Sequence, residues 1–292
     1  MSQRLSAALL AFLFLPTGLV RAEEKSDQSF DSAGVKIHYT VEGHGEPVVL
    51  IHGFSSSGAV NWDLPGISKE LARDYRVIVI DNRGHGKSAK PHDPDKYGIE
   101  MVEDVVRLLD HLGLKKAHVV GYSMGGFITN KLAVRHPDRL LSATLGGAGW
   151  MRADDKDWQD LAADLVKSLE DGKGIAPVIL RLIPAGRPKP SDEQMQAINR
   201  VIMSMNDAQA LAAVVRGFKQ LAVSEEELRA DKVPTLAIVG TLDPLKKGVD
   251  ELKDKLPGLK VVEIRDADHM SAFGNPEFKK SLKEFLAAHK QR

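Results

Sequence analysis

The sequence predicts an α/β protein, with a mainly parallel sheet covered by helices on both faces and a helical insertion ahead of the last strands. Short, continuously apolar runs (Pro47-Val48-Val49-Leu50-Ile51, Tyr75 to Ile80, Lys116 to Val120, Leu140 to Leu145, Val233 to Gly240) alternate with stretches of helical periodicity. Strands with no polar face are buried on both sides, which is the situation of a parallel sheet between helix layers. The alternation stops from Trp150 to about Leu228, where only helical patterns occur. A chain of 292 residues with 43% hydrophobic content is large enough for one such core.

Lysine plus arginine balance aspartate plus glutamate at 40 each, so no overall field steers the protein toward nucleic acid, and no nucleic-acid partner is expected. Cysteine is absent, which excludes disulfides, a thiolate nucleophile and cysteine metal sites. Arg4, the apolar stretch from Leu5 to Val20 and the small residues around Val20-Arg21-Ala22 read as a cleaved secretory signal over 1–22. That apolar run is shorter than the ~20 residues a membrane span needs and Pro16 interrupts it. Cleavage leaves 38 basic residues against 40 acidic. The expectation is a secreted or periplasmic protein, soluble and slightly acidic, with no stable membrane anchor.

In chain order, Gly34 to Gly43 alternates apolar and polar residues as a half-buried strand does. Pro47 to Ile51 is a buried strand running into the loop His52-Gly53-Phe54, and a helix-like segment spans Trp62 to Ala72. The next strand, Tyr75 to Ile80, ends in Asp81-Asn82-Arg83-Gly84-His85-Gly86-Lys87-Ser88. Asp81 and Arg83 are expected to form an ion pair or turn network there. Glu100 to Leu112 carries Val102, Val105, Val106, Leu108, Leu109 and Leu112 on one helical face. Within the insertion, the Pro-rich Ile183 to Pro190 marks a bend, Met195, Met203 and Met205 are expected to pack between helices, and Ser224 with Glu227 makes a capping box. Strands resume at Val233 to Gly240 and Leu259 to Ile264, and Pro276 to Ala288 closes the chain as a helix.

Chemistry concentrates in Gly121-Tyr122-Ser123-Met124-Gly125-Gly126, between a strand and a helix. Glycines two residues either side of the serine suit a turn so sharp that the serine backbone is strained and its hydroxyl is pushed outward. The first N–H groups of the following helix lack internal partners, so an anion forming beside Ser123 meets a donor, that of Met124. A serine of this kind needs a base and an acid later in the chain; Asp243 follows the next strand but one and His269 the last. Open α/β sheets place their sites at these carboxyl ends.

With these motifs the chain resembles the α/β-hydrolase fold superfamily, in its lidded serine esterase-like branch. The resemblance rests on His52-Gly53-Phe54, the Asp81 to Ser88 turn, the Gly-Tyr-Ser-Met-Gly-Gly elbow, Gly240-Thr241-Leu242-Asp243 and Asp268-His269. It implies a mainly parallel, eight-stranded type of sheet whose core is split into 23–149 and 229–292 by a helical cap over 150–228. It further implies catalysis by Ser123, His269 and Asp243, with the backbone N–H groups of Phe54 and Met124 as the oxyanion hole. His52 matches the oxyanion-loop position, where the side chain supports the loop. Asp266 and Asp268 lie nearer His269 along the chain, but Asp243 is preferred on strand position and motif together. Tyr122, Trp150 and Met151 flank the motifs and are expected to line the substrate pocket.

The implied activity is hydrolysis of a small-molecule carboxylic ester through an acyl-enzyme, with neither cofactor nor metal. The same triad also serves C–C bond hydrolases, acyltransferases and cofactor-free perhydrolases, and the fold occurs in ligand receptors that have lost catalysis. A serine rather than an aspartate at the elbow removes the nucleophile of dehalogenases and epoxide hydrolases.

Overall fold

Eight strands form one sheet in the order β1-β2-β4-β3-β5-β6-β7-β8, as seen in a computed structural model that describes residues 25–291. The signal segment expected at 1–22 lies outside the described residues. β1 (Ser26–Ser32) and β2 (Val35–Glu42) pair as an antiparallel hairpin, and β2 is antiparallel to β4 (Arg76–Ile80). β4, β3 (Pro47–Ile51), β5 (Ala117–Tyr122), β6 (Leu140–Gly146), β7 (Thr235–Gly240) and β8 (Lys260–Ile264) run parallel to one another. β1 escaped the sequence reading because Ser-Asp-Gln-Ser-Phe-Asp-Ser is polar and only Phe30 and Ser32 are buried. The hairpin turns on Ala33 and Gly34, with φ of +54° and +80°, the positive pair that matches the twist of a tight β-hairpin.

Helices follow the strands in alternation: α1 (Ile67–Leu71) after β3, α2 (Ile99–His111) after β4, and α3 (Met124–Arg135) after β5. Between β6 and β7 the chain forms an inserted helical cap from α4 (Lys156–Glu170), α5 (Ala176–Arg181), α6 (Asp192–Ser204), α7 (Ala208–Gly217) and α8 (Glu225–Ala230). α9 (Lys246–Leu252) leads to β8, and α10 (His269–Ala272) and α11 (Pro276–Ala288) end the fold.

Period-two strand geometry sorts the core onto two faces. Val49, Ile51, Ile78, Ile80 and Val119 pack with Val102, Val105 and Leu109 of α2 and with Ile128 and Leu132 of α3. Val48, Leu50, Val77, Val79 and Val120 face the other way, onto Ile67 and Leu71 of α1 and Phe278, Leu282 and Phe285 of α11. The cap has a small core of its own around Leu165, Leu169, Ile175, Leu211 and Val215. Met203 packs against that core, whereas Met205 is 57% exposed and does not serve the packing expected of it. Ser224 and Glu227 form the capping box of α8, and Ile183 to Pro190 lies in the link between α5 and α6.

Arg83 and Asp81 part company instead of forming an ion pair. Arg83, fully buried, makes a two-pronged bond to Asp104 of α2 (Nε–Oδ2 2.7 Å, Nη2–Oδ1 2.6 Å). Asp81 accepts backbone N–H bonds from Gly58 (2.8 Å) and Lys87 (2.9 Å) and contacts His38 Nδ1 at 2.9 Å. The turn network was predictable from the cluster of turn residues; the partner of Arg83 depends on how α2 packs.

Candidate active site

Ser123 joins β5 to α3 at φ +53°, ψ −117°, a left-handed strain that side-chain-bearing residues rarely hold. The flanking glycines have a steric cause. A Cβ on Gly121 would sit 2.0 Å from the Gly125 carbonyl oxygen, and one on Gly125 would sit 2.2 Å from that of Ile51, because β5, α3 and β3 meet backbone to backbone. The Ser123 carbonyl accepts from Gly126 N (2.8 Å) and Phe127 N (3.1 Å), and its N–H donates to Gly146 O at 2.8 Å. These bonds hold the turn while leaving the hydroxyl uninvolved in the fold. Among the described residues, the N–H groups of Met124 and Phe54 donate to no protein acceptor.

The loop after β3 approaches this serine closely: a Cβ on Gly53 would lie 3.3 Å from Ser123 Cβ. Gly53 N donates to Asn61 Oδ1 at 2.8 Å, so Asn61, with no motif to announce it in the sequence, anchors the loop. His52 is fully buried and fully engaged, its Nδ1–H donating to Gly53 O (2.7 Å) and its Nε2 accepting from Asn82 N (3.0 Å). Burial depresses its pKa, against the opposing pull of Asp81, and keeps it neutral as those two bonds require. Its geometry is that of a brace for the loop.

From β7 and from the turn after β8, Asp243 and His269 meet with Nδ1···Oδ2 at 2.8 Å, their side chains 0% and 4% exposed respectively. The other Asp243 oxygen accepts from Leu245 N at 2.9 Å, which fixes the carboxylate plane. The two nearer acids are used elsewhere: Asp268 caps α10 by accepting from Met270 N (3.1 Å) and Ser271 N (2.9 Å), and Asp266 is exposed. The end of β6 bridges the groups, since Gly146 holds the Ser123 N–H while a Cβ on Gly147 would lie 3.1 Å from His269 Cε1. Glycine is needed at 147 for its φ of +54° as well as for the imidazole.

The flanking residues separate. Tyr122 turns to the opposite sheet face with Phe273 and Phe278, its hydroxyl donates to the His269 carbonyl oxygen, and its ring centroid lies 5.3 Å from that of His269. Burial raises its pKa well above the ordinary value, so it remains a donor. It supports the histidine from behind instead of lining a pocket, as period-two alternation from Ser123 dictates. Trp150 donates its indole N–H to Val223 O at 2.7 Å, and the buried Met151 joins Met124, Phe127, Phe54 and Trp158 in one apolar cluster. His85, also fully buried, stacks edge-on to Phe54 with centroids 5.8 Å apart. Burial, reinforced by His52, pushes its pKa down to about 3. From the cap, Asn206 Nδ2 donates to Ser55 O (3.1 Å) and Ile202 O (2.8 Å), tying the cap to the loop that carries Phe54. Among the described residues no group of three or more His, Cys, Asp or Glu side chains is placed to hold a metal ion.

Residues 46–174 match the family model described as the alpha/beta hydrolase fold. Pimeloyl-[acyl-carrier protein] methyl ester esterase of Aeromonas hydrophila is 29% identical over 80% of this chain and 92% of its own length. A 2-hydroxy-6-oxo-6-phenylhexa-2,4-dienoate hydrolase of Comamonas testosteroni is 35% identical over 42% of this chain; that match spans 43% of the relative, less than half its length. Among solved structures, Est816, described as an N-acyl homoserine lactone degrading enzyme, superposes with a TM-score of 0.67 at 28% identity, covering 88% of this chain and all of its own. The strand order, the helices inserted between β6 and β7 and these matches together show that the chain has the α/β-hydrolase fold.

Proposed function

We propose that the protein is a serine hydrolase that cleaves a carboxylic ester through an acyl-enzyme. The observation that carries this reading is the buried His269–Asp243 pair at the carboxyl ends of β7 and β8, joined across Gly146-Gly147 to the strained Ser123 turn. A neutral hydroxyl is a poor nucleophile, so His269 takes the Ser123 proton through Nε2 as the oxygen attacks the ester carbonyl. Asp243 holds Nδ1 in its protonated form and stabilises the imidazolium. Charge on the carbonyl oxygen is met by the free N–H groups of Phe54 and Met124, each worth about 2.7 to 4 kcal/mol in sites of this kind. The imidazolium then protonates the leaving alcohol, and water activated by the same histidine releases the acid.

The Aeromonas relative is a methyl ester esterase, which supports an ester substrate. The name of the Comamonas relative favours a second reading, C–C bond hydrolysis by the same residues. Hydrolysis of p-nitrophenyl esters of increasing acyl length tests the first, with Ser123→Ala as blank. The expected result is turnover by the wild type alone; a wild type that cleaves no ester but hydrolyses a vinylogous diketone replaces the first reading with the second. Export is part of the proposal and rests on the 1–22 segment; Edman sequencing of protein recovered from expressing cells checks it, with a mature start just after Ala22 expected.

A further inference from the structure

We propose that Asn206 of the cap is a positioning residue for the oxyanion donor: its hydrogen bond holds Ser55 in a strained backbone conformation, and that conformation aims the Phe54 N–H at the reacting carbonyl. The inference rests on the serine hydrolase reading above and adds a cap residue to it. Ser55 has a φ of +53°, the left-handed region that a residue with a Cβ occupies at a cost in free energy and keeps only when its surroundings hold it there. Of the four non-glycine residues with positive φ among the described residues, Ala33 turns the β1–β2 hairpin, Ser123 is the candidate nucleophile and Asp266 lies in the turn ahead of His269. The remaining one, Ser55, directly follows Phe54. The body of the fold fixes this segment at both ends, since Gly53 N donates to Asn61 Oδ1 and Gly58 N to Asp81 Oδ1, each at 2.8 Å. Between those ends, the only hydrogen bond to the backbone of residues 54–56 among the described residues comes from the cap: Asn206 Nδ2 donates to Ser55 O at 3.1 Å. With both ends held, a rotation at Ser55 has to be absorbed by its neighbours, and Phe54 is the one that faces the nucleophile turn. The Phe54 ring rests edge-on against His85 and Phe218, 5.8 Å from each, but such contacts do not fix the φ of the residue that follows.

Asn206 is set up as a donor and nothing else. It lies between α6 and α7, and its second Nδ2 hydrogen goes to Ile202 O at 2.8 Å, so both amide hydrogens are spent on carbonyls. Its own Oδ1 is buried and has no partner among the described residues. Turning the amide over would press that oxygen against two carbonyl oxygens, so the orientation is fixed and an unpaired acceptor is tolerated to keep it. On one side of Asn206, α7 is anchored where Asp207 accepts from Ala210 N at 2.9 Å and pairs with His92 at 3.0 Å. On the other side, no residue of α6 is buried. A lightly held outer helix thus meets the strained loop through this one side chain, and the position of the cap is transmitted to the Phe54 N–H.

The test is a double-mutant cycle of Asn206→Ala with Ser55→Gly, read by kinetics and by unfolding. Glycine keeps a positive φ without strain, so with Ser55→Gly the loop stays in place when the cap's bond is removed. Steady-state hydrolysis of p-nitrophenyl acetate should show kcat falling severalfold for Asn206→Ala with little change in KM, but by less than about twofold when the same change is made in the Ser55→Gly background. Ser55→Ala keeps the strain and removes only the hydroxyl, so in that background Asn206→Ala should lower kcat as much as it does in the wild type. An equal loss of kcat in every background overturns the proposal. The unfolding arm needs no turnover. In urea titrations Ser55→Gly should change the unfolding free energy more favourably with Asn206 present, where there is strain to relieve, than with Asn206→Ala, where Ser55 has already relaxed. Absence of ester hydrolysis by every variant would sink the serine hydrolase reading alone, and strictly additive unfolding free energies would then overturn this inference by themselves.

Discussion

Asp243 has no contact with solvent through its side chain, and its two oxygens are spent on Leu245 N and His269 Nδ1. Replacing it with asparagine keeps the shape but offers His269 a donor, which turns the imidazole to the wrong tautomer. Steady-state kinetics of Asp243→Asn should show kcat reduced about 10,000-fold with little change in KM. Asp268→Asn, which touches only the α10 cap, should lose no more than about 1 kcal/mol of stability and keep its turnover. The strand-end positions of Ser123, Asp243 and His269 were legible in order and spacing, because a glycine-flanked turn and strand-end residues leave marks in the chain itself. Asn61, the bracing hydrogen bond of Tyr122 and the Arg83–Asp104 pair leave none, because each depends on which segment lies across the fold.

Elements meet here with almost no clearance. The strand β5 and helix α3 pack so that a Cβ at position 121 would overlap the Gly125 carbonyl, which is backbone and cannot give way. Gly121→Ala should therefore cost more than about 4 kcal/mol, at the severe end for single substitutions, and urea unfolding or loss of soluble yield would register it. The cap helices were legible from periodicity, and the α8 capping box from Ser224 and Glu227, since both are local properties. β1 was not: its pairing with β2 is directed by the turn and by burial of Phe30, not by its own composition. The attachment of Asn206 to Ser55 likewise joins two elements far apart in sequence. Asn206→Ala should lower kcat severalfold while leaving melting temperature within a few degrees, since its two part-buried hydrogen bonds contribute about 1 kcal/mol each.

Across the whole molecule, buried histidines set how stability responds to acid. Burial depresses the pKa of His52, His85 and His118, that of His85 from 6.5 to about 3. When the chain unfolds below about pH 6.5 these groups take up protons that the folded protein refuses. Stability is therefore full above that pH and declines as pH falls toward 3. Unfolding free energies from urea titrations at about pH 7 and about pH 5 should show a loss of roughly 1.4 kcal/mol per pH unit below about pH 6.5 from His85, with His52 and His118 adding losses of the same sign. His85→Phe, which keeps the edge-on contact with Phe54 but cannot be protonated, should flatten that dependence.

The central proposal is that the fold makes Ser123 nucleophilic. Peptide mass spectrometry of the folded protein after treatment with a fluorophosphonate probe measures that directly. A single adduct on Ser123 is expected, lost in the urea-unfolded protein and in His269→Ala; an unlabelled Ser123 in the folded protein, or labelling that survives unfolding, would contradict the proposal.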